Sequence, residues 1–145
     1  MRNILFLCTG NSCRSVLAEA YLNHVSTSWR AYSAGSHPTG VVHPMARKIL
    51  SDRGIDVSDA RSKTWEEFSQ PDAPHMEIIV TVCDSAAGET CPIWQGHPTS
   101  HHWPFPDPAH FQGSPSEVEA YFLEVFEMIS RKIDFFLENQ VAHEA

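Results

Sequence analysis

The chain has 145 residues, of which 42% are hydrophobic and 19% charged, and 18 acidic against 10 basic side chains give a formal charge of −8. That size suits one compact domain with its own core, expected over residues 1–145, and the charge argues against nucleic acid or anionic membrane as a partner. No apolar run approaches the roughly 20 residues that span a bilayer. Met1-Arg2-Asn3 is followed by only four strongly apolar residues, too short for a signal peptide. Cytoplasm is therefore the expected location, and there the four cysteines suit reactivity or metal binding better than a disulfide frame.

Ile4, Leu5, Phe6 and Leu7 predict a short buried strand. Thr9, Gly10, Asn11 and Ser12 are turn formers, and Ser15 to Val25 has helical spacing, with Val16, Leu17, Ala20, Tyr21 and His24 or Val25 along one face. A strand, a tight loop and a helix N-terminus make a cradle of backbone N–H groups for an anion. Cys8 opens that loop and Arg14 closes it. The helix dipole and Arg14 both favour a negative charge on Cys8, so a thiolate near neutral pH is expected. Arg14 offers a planar fork to two oxygens of a tetrahedral oxyanion, and the Ser15 hydroxyl lies close enough in sequence to hydrogen-bond the thiolate. The plainer alternative is a buried structural cysteine beside a surface arginine.

Trp29 to Gly35 predicts a second strand that breaks at the glycine. Pro44 at a first turn, then Met45, Ile49 and Leu50, with Gly54 just past the end, predicts a second helix. Thr64 is placed to cap a short helix carrying Trp65 to Phe68. Glu77 to Val82 is the strongest strand signal in the chain and ends at Cys83. Residues 84–115 are irregular and hold six of the ten prolines. His101 to Phe105 reads as a short last strand, with a rigid turn at Pro106-Asp107-Pro108. A long helix is expected from Ser116, its cap, to about Asn139, with Val118, Phe122, Val125, Ile129, Ile133 and Phe136 facing the core. Strands alternating with helices imply an α/β fold with a parallel sheet and right-handed crossovers. Ligands bind beyond the carboxyl ends of such strands. Cys8 and Cys83 each follow the last residue of a predicted strand, and so fall on one edge of the sheet.

Cys8-x5-Arg14-Ser15 directly after an N-terminal strand resembles the oxyanion loop of the low-molecular-weight protein tyrosine phosphatase superfamily. The full Cys8-Thr9-Gly10-Asn11-Ser12-Cys13-Arg14-Ser15 is similar to that of the arsenate reductases built on this fold. The resemblance implies a single-domain three-layer α/β fold with a four-stranded parallel sheet, and oxyanion binding by Thr9, Gly10, Asn11, Ser12, Cys13 and Arg14. It implies that Asn11 and Ser33 support the loop, although Ser33 also reads as a strand-end hydroxyl capping a turn. Asp107, before Pro108, would be the general acid, or else part of an ordinary Asp-Pro turn.

The second cysteine pair, Cys83 and Cys91, extends the resemblance to the reductases. What it implies is a relay. Cys8 attacks arsenate, Cys83 attacks the Cys8 sulfur and releases arsenite, and Cys91 carries the disulfide to an external thiol donor. The donor is thioredoxin, or glutathione with glutaredoxin, and neither a bound cofactor nor a metal is expected. Two departures stand out: Ala109-His110-Phe111 follows Pro108 where the phosphatases usually carry tyrosines, and the seven residues between Cys83 and Cys91 make a slightly longer interval than in thioredoxin-coupled members. The runner-up is a phosphatase working through a Cys8 phospho-enzyme, with Cys83 and Cys91 as inert thiols. A third alternative is a metal- or arsenite-binding module using Cys83, Cys91, His97, His101 and His102. Cys13 reads as loop packing, or as a thiol that protects Cys8 by a disulfide.

Overall fold

Ile4-Leu5-Phe6-Leu7 send alternate side chains to opposite faces of a sheet, and all four are completely buried, which requires cover on both sides. Burial of this order contributes at most about 6–12 kcal/mol, comparable to the whole net stability of a typical domain. The strand they belong to is accordingly central. In the computed structural model, which describes residues 2–82 and 98–144, β1 (Arg2–Leu7) lies between β2 (Trp29–Ala34) and β3 (Ile78–Thr81). β4 (Thr99–His102) lies beyond β3. The order is β2-β1-β3-β4 and every pairing is parallel.

On one face Ile4, Phe6, Ala31, Ile78 and Val80 pack in a cluster with residues of α1 (Arg14–Val25), α2 (Pro44–Asp52) and α3 (Pro115–Glu144). On the other, Leu5, Leu7, Ala34 and Ile79 pack against Trp65 and Met76. Trp65 sits in a 3-10 turn, Trp65–Phe68, whose Glu66 N–H is received by the Thr64 hydroxyl. Leu7 is paired with Ala34 on one side and Thr81 on the other, so the carboxyl ends of β2, β1 and β3 finish together.

Several elements differ from expectation for identifiable reasons. On α1, Ala18 and Leu22 are buried while His24 and Val25 are exposed, because the helix is packed against β2 on one side and α3 on another. One hydrophobic stripe does not describe a helix covered on two sides. The last strand lies at Thr99–His102, ahead of the predicted His101–Phe105, and its residues are exposed at the sheet edge. Trp103 instead turns into the core, 6.0 Å from the Phe6 ring and 5.7 Å from Phe136. The cap of α3 is Ser114 rather than Ser116. Its hydroxyl accepts from Glu117 N–H at 3.3 Å, and Glu117 accepts from Ser114 N–H at 3.0 Å, a reciprocal capping box. The core stripe of α3 stands, with Phe126 added to it.

Candidate active site

The loop after β1 is shaped from outside. Cys8 N–H donates to Ala34 O at 3.1 Å, which continues the β1–β2 ladder one residue past the strand. The loop carbonyls then turn outward to the segment that follows β2. Thr9 O receives His37 N–H at 3.0 Å, Gly10 O receives Thr39 N–H at 3.0 Å, and Ser12 O receives His43 N–H at 2.8 Å. The Ser62 hydroxyl also donates to Gly10 O, at 3.1 Å. With carbonyls engaged on the outside, the peptide N–H groups are left for an anion on the inside.

Two residues make this curvature feasible. Asn11 has φ of +44°, a left-handed conformation that costs about 1 kcal/mol in a residue other than glycine. Its amide offsets this through two buried hydrogen bonds, donating to Ser15 Oγ at 2.8 Å and accepting Lys63 N–H at 2.9 Å. Gly35 is required for a different reason: a Cβ there would stand 2.4 Å from both Cys8 O and Thr9 O. The break in β2 is therefore a close approach of two backbones.

α1 starts at Arg14. Cys13 is its N-cap residue but makes no side-chain cap, and the first turn holds no acidic residue. The uncapped N–H groups and the dipole therefore face the loop, a local positive field within a chain of negative net charge. Arg14 is held by Nη1 to Phe105 O at 2.9 Å and by Nη2 to Asp107 Oδ2 at 3.3 Å. Its Nε is buried and has no partner among the described residues. A donor in that state fits an oxyanion oxygen, because an unpaired buried donor is costly.

Cys8 and Cys13 are both nearly inaccessible, at 6% and 4% exposed. Burial is the main cause that pushes the Cys13 thiol up to about 12, with Asp107 adding to the rise and Arg14 opposing it. Cys13 thus stays protonated at neutral pH, which favours the packing role over the protective one.

Cys8 to Arg14 line a cavity of about 650 Å³ together with His37, Thr39, Val41, His43, Pro44, Asp107 and Ala109. Asp107 reaches it because Phe105 N–H bonds to Val82 O at 3.2 Å and carries the chain from β4 back across the strand ends. Asp107 Oδ1 accepts Ala109 N–H at 2.9 Å while Oδ2 faces Arg14. The turn geometry and the site placement thus belong to the same residue. Ser15 is fully buried, and its oxygen accepts from Asn11. Ser33 is fully buried and faces the Glu19 carboxyl.

Of the residues singled out from sequence, the loop from Cys8 to Ser15 and Asp107 are brought together. His101 and His102 lie exposed on β4, and Cys83, Cys91 and His97 lie outside the described residues. The sequence reading missed the 36–43 segment, Lys63, Ser62 and the Phe105 carbonyl. These act mainly through main-chain groups, which leave no residue-type signal; the break at Gly35 was the one available hint.

The sequence profile of the low molecular weight phosphotyrosine protein phosphatase family matches residues 3–145. An arsenate reductase of Bacillus licheniformis is 38% identical over 140 residues, covering 95% of this chain and 96% of that protein. Among solved structures, an arsenate reductase in a phosphate-binding state has a TM-score of 0.75 at 25% identity, covering 96% of this chain and 98% of that one. A thioredoxin-dependent arsenate reductase of Corynebacterium glutamicum has a TM-score of 0.60 at 25% identity, covering 93% of this chain but 63% of that longer one.

Proposed function

Because this chain belongs to the low molecular weight phosphotyrosine protein phosphatase family, we propose that its loop takes arsenate and that the protein reduces it to arsenite for detoxification. The Cys8 thiolate attacks arsenic and an oxygen departs as water, protonated by Asp107, leaving a Cys8–S–As(V) adduct. Arg14 and the loop N–H groups of Thr9 to Cys13 hold the remaining oxygens, and Asn11 and Ser33 support the loop. The Cys83 thiolate then attacks the Cys8 sulfur. The S–As bond breaks with its electron pair on arsenic, which leaves as arsenite, and a Cys8–Cys83 disulfide forms. Attack by Cys91 on Cys83 frees Cys8 and moves the disulfide to Cys83–Cys91. Two electrons from an external thiol system, the dithiol of thioredoxin or two glutathione molecules with glutaredoxin, restore the pair. Such a cycle needs a reducing compartment, which the cytoplasm supplies, and residues 1–145, read as a single domain, would carry its cysteines.

What favours reduction over hydrolysis is the second cysteine, Cys83, which the sequence carries directly after Val82, at the end of the strand that pairs in parallel with β1. Leu7 lies opposite Thr81, and Val82 N–H donates to Leu7 O at 2.9 Å. Val82 precedes Cys83 in sequence as Leu7 precedes Cys8. The relatives named arsenate reductase support the same choice, and the thioredoxin-dependent relative supports the first donor. The deciding experiment follows arsenite release from arsenate with thioredoxin and its reductase, and separately with glutathione and glutaredoxin. Catalytic turnover with one of them is expected. Turnover with neither, alongside efficient hydrolysis of an aryl phosphate, would establish the phosphatase instead.

Asp107→Asn keeps the size of the side chain and its bond to Ala109 N–H, but cannot deliver a proton. It is expected to lower kcat by about 10²–10⁴-fold. Arsenate concentration for half-saturation should change much less. A kcat within about threefold of wild type would remove Asp107 from the proton-transfer role.

A further inference from the structure

Among the described residues Lys63 is the one charged side chain classed with the buried core, at 7% exposed, and no step of the reaction uses it. Its Nζ lies 3.9 Å from Glu19 Oε2 and donates to Arg61 O at 3.1 Å. Glu19 is itself nearly enclosed, its side chain 16% exposed, and faces Ser33 and Arg61 besides Lys63. Glu67 adds a second, weaker negative influence on Lys63. A buried ion pair is weak evidence for stability, because desolvation of both charges opposes their attraction. Burial here drives the two groups towards neutrality, Glu19 upward and Lys63 downward, with their mutual attraction opposing it. Some property other than stability is the better explanation for the pair.

Its position supplies one. Ser15 and Glu19 are four residues apart on α1 and so share a face. Asn11 sits at the head of that line, donating to Ser15 Oγ. Lys63 meets the line at both ends: its backbone N–H donates to Asn11 Oδ1 at 2.9 Å, and its ammonium faces Glu19. Its carbonyl accepts Gly35 N–H at 3.0 Å, next to the close approach of Gly35 to Cys8 O and Thr9 O. Asn11 is the loop residue in the left-handed conformation, and such conformations persist only where the surroundings over-determine them.

We infer that Lys63 and Glu19 are positioning residues for oxyanion capture: their buried pair clamps residues 61–63 to α1 so that the Lys63 N–H holds Asn11, and with it the loop, in the anion-receiving shape. This rests on the loop as an oxyanion site and not on the fate of the adduct. The test therefore uses phosphate and Cys8 alkylation, with no arsenate turnover.

In wild type, phosphate should protect Cys8 from iodoacetamide in a saturable way. Lys63→Met, of similar length and uncharged, should weaken that protection by about tenfold or more and shift the Cys8 alkylation profile to higher pH. Glu19→Gln should change both in the same direction. If Lys63→Met does not fold, Glu19→Gln and the double variant carry the comparison, and the double variant should be no worse than the poorer single one. Unchanged phosphate protection and alkylation profile in a folded variant, with only the unfolding midpoint lowered, would overturn the clamp and leave the site reading intact. Tighter phosphate binding in Glu19→Gln would also overturn it, since the pair would then act through its field. A wild type insensitive to phosphate would sink both the site reading and the clamp.

Discussion

Cys8→Ser is expected to abolish arsenate reduction with either thiol donor, a loss of at least about 10³-fold that places kcat at background. A serine hydroxyl in the same place is not ionised near pH 7 and cannot form a disulfide, so both the attack and the release step are lost. The only other sulfur in the loop, Cys13, is no substitute: burial pushes its thiol up to about 12, so it stays protonated at pH 7 and is a poor nucleophile. Phosphate should still bind to Cys8→Ser, since Arg14 and the loop N–H groups remain. The checks are arsenite release and phosphate titration on the same preparation. Residual reduction above a tenth of wild type would mean that the nucleophile lies elsewhere.

Cys83→Ser is expected to separate the two chemistries that the loop supports. Arsenite release should again fall by at least about 10³-fold, or about 4 kcal/mol of barrier, because no neighbouring thiolate takes the Cys8 sulfur from arsenic. Hydrolysis of an aryl phosphate, at whatever rate wild type sustains, should stay within about twofold, since water and Asp107 suffice for it. Mass spectrometry after a single arsenate turnover without reductant should find a disulfide involving Cys83 in wild type and none in the variant. Normal arsenate turnover by Cys83→Ser with either donor would dismiss the relay. The same family membership would then point towards the phosphatase.

The combination of these two variants isolates what the loop does alone. Under the proposed function, oxyanion capture would rest on Arg14, the α1 N-terminus and the outward-turned carbonyls of residues 9, 10 and 12. It is common to phosphoryl and arsenate chemistry. In the proposed cycle it is the second thiol, Cys83, that would turn capture into reduction.

What the sequence determined by itself is local. The order strand, turn and helix around Cys8 and Arg14, the helix Pro44–Asp52 with Gly54 just past its end, and the Thr64 cap follow from neighbours within four or five residues, where propensity and hydrogen-bond reach act directly. The Phe122–Ile133 stripe follows from the helical repeat, and the parallel sheet from the alternation of strands and helices. Tertiary structure alone decided the rest of the site. The Phe105 carbonyl that holds Arg14 is 91 residues away, and the Lys63 N–H that holds Asn11 is 52 residues away. Both are main-chain groups, which every residue possesses, so no residue type announces them. Their arrival depends on the register of β1 with β2 and β3, and on the two backbones that meet at Gly35. Register is a property of the paired strands together: shifting one of them by a residue would exchange its buried faces and carry these carbonyls and N–H groups away from the loop.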